Sequence, residues 1–190
     1  MTPRRIRRHA ALALALSALL VGAAQAAGAH QHGVAALQVV VDGNSLTVSL
    51  DSPLDNLLGF ERGPRTEAER KAVQAMAQRL RNAGTLLVPA AAAQCQLQGV
   101  DLASDVIAPA LLAATAAATT AAAPAAAGSG HADLEAGFRF QCAQPQALKA
   151  LDVAGLFQAF PRLKQLDAAL AAPGVQRGAK LRPKQATLAW

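Results

Sequence analysis

The chain is poor in the residues that most catalytic chemistry needs. Its 190 residues include two cysteines, one tryptophan, no tyrosine and four histidines, one of which, His9, falls in the first ten residues. It has no Gly-x-Ser-x-Gly elbow, no phosphate-binding glycine loop and no His-Glu-x-x-His helix. With three histidines left for general acid or base work, enzymatic activity is not expected. Charge is missing from two stretches. Residues 10–24 carry none, and residues 108–130 contain no His, Asp or Glu.

The first uncharged stretch has a targeting explanation. Arg4, Arg5, Arg7 and Arg8 form a positive region, an apolar run follows, and Ala24-Gln25-Ala26 supplies a small-x-small cleavage site. Residues 1–26 are therefore expected to be a cleaved signal peptide, with the exported chain starting at Ala27 and residing in the periplasm. An apolar run of about 15 residues is shorter than the ~20 needed to span a bilayer, so no stable membrane span is expected after cleavage. Removing the leader also removes most of the basic excess. Of 18 Lys and Arg residues four leave, and 14 remain against 12 Asp and Glu. Arg62, Arg65, Arg70 and Lys71 then interleave with Glu61, Glu67 and Glu69 as a solvated surface, and no nucleic-acid partner is expected.

Export also bears on Cys95 and Cys142. In an oxidising compartment a lone pair favours a disulfide over metal ligation by two thiols alone. Closing that loop stabilises a fold by roughly 4 kcal/mol on the chain-entropy model.

Periodicity predicts the elements. Leu37, Val39 and Val41 alternate before Asp42-Gly43-Asn44, and Leu46, Val48 and Leu50 alternate after it, which reads as a β-hairpin over residues 34–50. Pro53 and Pro64 bracket a loop, in which Asn56 and Glu61 are expected to make side-chain-to-backbone bonds. Thr66 and Glu69 have capping-box spacing, and Val73, Met76 and Leu80 form an apolar stripe, which predicts the main helix over residues 66–83. Residues 85–88 and 94–100 read as a second hairpin. Residues 108–130 form a low-complexity Ala-rich insert, after which Leu134, Ala136, Phe138 and Phe140 alternate up to Cys142. If Cys95 and Cys142 are bonded, the insert becomes a lobe closed at its base. A helical piece over residues 153–160 and strands over 163–171 and 178–182, joined at Pro173-Gly174, complete the chain. The fold class is α+β: a single domain, mostly antiparallel sheet built of hairpins with one main helix.

The remaining candidates for chemistry are metal ligands. His30 and His32 stand two apart near the new N-terminus, and His131, Asp133 and Glu135 open the strand after the insert. Imidazole and carboxylate are donors that zinc accepts, and alternate residues of an extended segment leave on one face. The competing reading is that each is a solvated polar residue.

The ordered set of motifs resembles the ZrgA-like zinc-regulated periplasmic proteins of proteobacteria, also grouped as a domain of unknown function. The matching pieces are His30-Gln31-His32-Gly33, Ser52-Pro53, Asn56, Gly59-Phe60-Glu61, Pro64 and Cys95. They continue with His131, Glu135, the segment from Phe138 to Cys142, and the segment from Leu156 to Pro161. The resemblance implies an exported protein, made under zinc limitation, that binds zinc and assists its acquisition alongside periplasmic components of an uptake system. It implies no enzymatic activity. Relatives carry an insert rich in His, Asp and Glu. Here only His131 remains beside it, so the expected zinc capacity is reduced, with Glu61 as a further oxygen donor. The alternative is an envelope interaction module for which metal is incidental.

Overall fold

The computed structural model describes residues 31–113 and 132–190. The signal-peptide expectation, His30, His131 and most of the insert lie outside them. The first hairpin folds as the alternation predicts, with β1 (Val34–Asp42) pairing antiparallel to β2 (Ser45–Pro53) around Gly43, whose φ of 55° suits the tight turn. Leu37, Val39, Leu46, Val48 and Leu50 all face inward and are essentially inaccessible to solvent. Each such side chain contributes about 2 kcal/mol of burial.

Chain order after β2 brings the first departure. The segment between the two prolines starts with a short helix, α1 (Leu54–Leu58), closed by Gly59 in the left-handed conformation. The main helix, α2 (Glu67–Arg81), follows with the capping box in place: Thr66 Oγ1 accepts from the Glu69 N–H, and Glu69 accepts from the Thr66 N–H. Val73, Met76, Ala77 and Leu80 bury its stripe in the common core.

The second expected hairpin does not form. Ala83–Thr85 is a turn of 3-10 helix, and the consecutive Leu86 and Leu87 are both buried, which no alternating strand allows. Only β3 (Val88–Pro89) remains of its first arm. The other arm, β4 (Cys95–Ala103), pairs instead with β5 (Asp133–Cys142), where a long antiparallel register and the Cys95–Cys142 disulfide outweigh a short local turn. The disulfide joins directly opposed residues, but at the end of this pair away from the insert. The insert's base is closed by backbone pairing, Ala103 with Glu135 and Leu102 with Ala136. The insert's first residues form α3 (Pro109–Leu112), with Leu112 in the core. Arg81 ties this turn to the sheet through the carbonyls of Leu112 (2.7 Å) and Val100 (2.9 Å).

Beyond β5 come β6 (Ala150–Asp152), α4 (Ala154–Ala159), β7 (Gln165–Ala172), β8 (Val175–Leu181) and β9 (Thr187–Ala189). The large sheet has the order β4-β5-β2-β1-β7-β8, and β3, β6 and β9 make a small second sheet. One pairing in the large sheet, β1 with β7, is parallel, so the hairpins are joined by a crossover rather than forming an antiparallel meander. Gly155 is required by packing: a Cβ there would lie 2.0 Å from the Thr85 carbonyl oxygen. Trp190 is partly buried against the core, with its backbone N–H donating to the Lys149 carbonyl. Among the described residues no helix is long and apolar enough to cross a membrane.

Candidate metal centre

The start of β1, the end of β2, the starts of β5 and β7 and the end of β4 all lie at one end of the large sheet, as their registers require. This end is polar. Its organiser is Asn56, in the middle of α1, whose side chain is almost wholly buried. The Asn56 carbonyl accepts from the Gly33 N–H at 2.6 Å. Its amide donates to the Val34 carbonyl at 2.9 Å and to Ser52 Oγ at 3.2 Å. The expectation that Asn56 bonds backbone is met, but the backbone belongs to the N-terminal segment and not to its own loop.

By holding Gly33 and Val34, Asn56 fixes the residue before them. His32 Nδ1 lies 3.2 Å from Asp55 Oδ2 and 3.8 Å from Glu61 Oε1. A carboxylate oxygen can only accept, so the Nδ1 position carries the proton and a neutral His32 has its lone pair at Nε2. Asp55 thus stands where an orienting carboxylate stands behind a metal-ligating histidine. Its second oxygen, Oδ1, is 3.5 Å from Arg162 Nη1. The Arg162 segment is itself fastened here, because the Gly33 carbonyl accepts from the N–H groups of Lys164 (2.7 Å) and Gln165 (2.9 Å).

The other predicted residues fall in two places. Ala132, just before β5, reaches this same end, where the Leu54 N–H donates to its carbonyl at 2.8 Å, beside Asp133. His32's two carboxylate neighbours are nevertheless Asp55 and Glu61, not Asp133 or Glu135. Glu135 stands on the outer face opposite Asp51, beside a shallow groove that also includes Asp101. That groove gathers carboxylates and no imidazole. Asp101 is already paired with Arg139. Cys95 and Cys142 are spent in the disulfide.

Among the described residues no group of three or more His, Cys, Asp and Glu side chains is arranged to hold a metal ion. The geometry explains this: both carboxylates crowd the same ring nitrogen, so they orient His32 and do not complete a tetrahedron around its Nε2. Imidazole nitrogen is a donor zinc accepts, and among the described residues His32 supplies one such donor. Sequence reasoning missed Asp55 and Arg162. Asp55 adjoins Asn56 but has no local pattern of its own, and Arg162 directly follows the Leu156 to Pro161 segment.

Fold and cluster together define a β-rich α+β domain that presents an oriented imidazole at one end of its sheet. A family model of ZrgA family zinc uptake proteins matches residues 29–190, and the chain belongs to that family. No curated protein matches it.

Proposed function

We propose that this protein is a periplasmic zinc-binding accessory protein that assists zinc acquisition, without enzymatic activity, and that His32 is the centre of its site. The observation that carries this reading is the Asn56-held segment in which Asp55 occupies Nδ1 of His32 and leaves Nε2 for a metal. His30, two residues earlier, and His131, one residue before the Ala132 carbonyl that Leu54 holds, are the further nitrogen donors assigned by sequence. Asp133, Glu135 and Glu61 are the oxygen donors assigned by sequence, of which Glu61 lies beside His32, on its Nδ1 side. Zinc is cargo in this reading, delivered to or taken from periplasmic components of an uptake system. The insert's lack of His, Asp and Glu limits the protein to this site in place of a reservoir.

Isothermal titration of zinc into the exported protein tests the proposal. Sub-micromolar binding near one equivalent, lost in the His30→Ala, His32→Ala double variant, is the expected result. No binding, or binding unchanged in that variant, would leave the envelope interaction module as the better account.

A further inference from the structure

Lysine and arginine are spread unevenly along this chain. Residues 27–190 carry 14 of them against 12 carboxylates, yet residues 161–184 alone hold six and a single carboxylate, Asp167. Folding gathers five of the six at one corner. β7 starts where antiparallel β8 ends, so Arg162 and Lys164, just before β7, meet Lys180 and Arg182 at the end of β8 and Lys184 in the turn that follows. All five are exposed. Arg162 faces Asp55, and Lys180 faces Asp167 at 2.9 Å. The other three have no carboxylate partner among the described residues. Lys164 Nζ donates to the Pro161 carbonyl, and Arg182 Nη2 donates to Gln165 Oε1 at 2.8 Å. Neutral acceptors hold these two side chains and leave their charge uncancelled.

The other side of the sheet has the opposite sign. One register row crosses the outer face from Glu135 through Asp51, Ala36 and Asp167 to Lys180. Glu135 and Asp51 stand directly opposed on β5 and β2, and neither is paired with a cation among the described residues. Four strand spacings, about 20 Å, separate Glu135 from Lys180. That is more than twice the ~8 Å screening length at physiological salt, so the two patches do not cancel and the domain is polarised across its sheet. Protein interfaces centre on aromatic or apolar anchors and are depleted in lysine. This corner has three lysines, two arginines and none of the exposed large hydrophobic residues, which are Val40, Val88 and Leu97. Solvated cations on strand ends and turns suit a layer of anionic headgroups, which attracts each one without requiring a pocket. We propose that the β7–β8 corner docks this protein on an anionic phospholipid surface, with the acidic β5–β2 side turned away from it. Docking of this kind needs neither zinc nor His32.

Co-sedimentation with lipid vesicles is the test, using protein purified from an expressing bacterium and kept in EDTA so that no metal bridges protein to lipid. Vesicles of phosphatidylglycerol and phosphatidylcholine in equal parts are compared with phosphatidylcholine alone at low salt. Wild type is expected to bind the anionic vesicles and not the neutral ones, and to be released at about 1 M salt, where the screening length is ~3 Å. Lys164→Gln combined with Lys184→Gln should weaken binding about 25-fold, roughly fivefold for each cation lost. Arg65→Gln combined with Lys71→Gln removes the same charge from exposed positions around the start of α2 and should stay within about twofold of wild type. Thermal melts matching wild type establish that both double variants are folded. Binding that ignores lipid charge, or that the two double variants weaken equally, overturns the docking corner. No binding at low salt overturns it as well, and leaves an acidic protein as the partner of these cations. None of these results depends on whether His32 binds zinc.

Discussion

The two ends of the large sheet are built on opposite principles. At one end the connections are tight: β1 turns into β2 at Gly43, β7 into β8 at Gly174, and β4 is bonded to β5 by Cys95–Cys142. At the other end the strands open into α1, the insert and the crossover into β7, and the space between them is filled by Asn56, Asp55, His32 and Arg162. Closure at the first end uses backbone bonds, such as that from the Cys142 N–H to the Asn44 carbonyl. The second end requires a buried hydrogen-bond hub, and the hub holds a histidine in one orientation. The candidate chemistry sits where distant segments meet.

The sharpest way to break this contrast is to weaken each end alone. Replacing both Cys95 and Cys142 by Ala should cost roughly 4 kcal/mol in a urea melt, because a loop with a sequence separation of 47 loses its cross-link. At a concentration where that variant is still folded, its zinc affinity should match wild type. Asn56→Ala should cost about 2–3 kcal/mol, since it strands the Gly33 N–H and the Val34 carbonyl in a buried setting. It should also weaken zinc binding, because the segment carrying His32 then loses its bonds to α1. If the two variants lower zinc affinity equally, the ends are not separable and the comparison fails.

A smaller effect isolates the helix from both ends. Thr66→Ala removes the cap of α2 and should cost about 1 kcal/mol with no change in zinc affinity. Smallest is the pH effect at the same helix start. The Arg62 guanidinium, followed by the backbone N–H of Arg65, holds the Glu69 carboxyl well below its ordinary 4.5, at about 2. A depressed carboxyl contributes stability that is present above its unfolded value and is lost as pH falls through the folded one. Thermal melts should therefore show a decline between about pH 4.5 and 2 that is reduced in Glu69→Gln.

Local signals made much of the fold legible. The β1–β2 alternation, the capping box of α2, the alternation of β5 and the Pro173-Gly174 turn each depend on residues within a few positions, and each element formed. What sequence could not reveal was pairing over long separations. The parallel contact of β1 with β7 joins segments at opposite ends of the chain. Strands β6 and β9 are three residues each, too short to show a period. The second hairpin does not form because turn signals are local, whereas β4 has a longer partner after the insert. His32 carried a visible His-x-His pattern, but its companion Asp55 lies 23 residues on, and only folding brings them together. Arg162 is more distant still and was selected by no motif.

The most direct measurement is diffraction from zinc-loaded crystals at the zinc absorption edge, where anomalous scattering locates the metal without assumption. The account predicts one strong peak about 2.0–2.1 Å from His32 Nε2, with Asp55 still on Nδ1. A peak remote from His32, or none at saturating zinc, would contradict it.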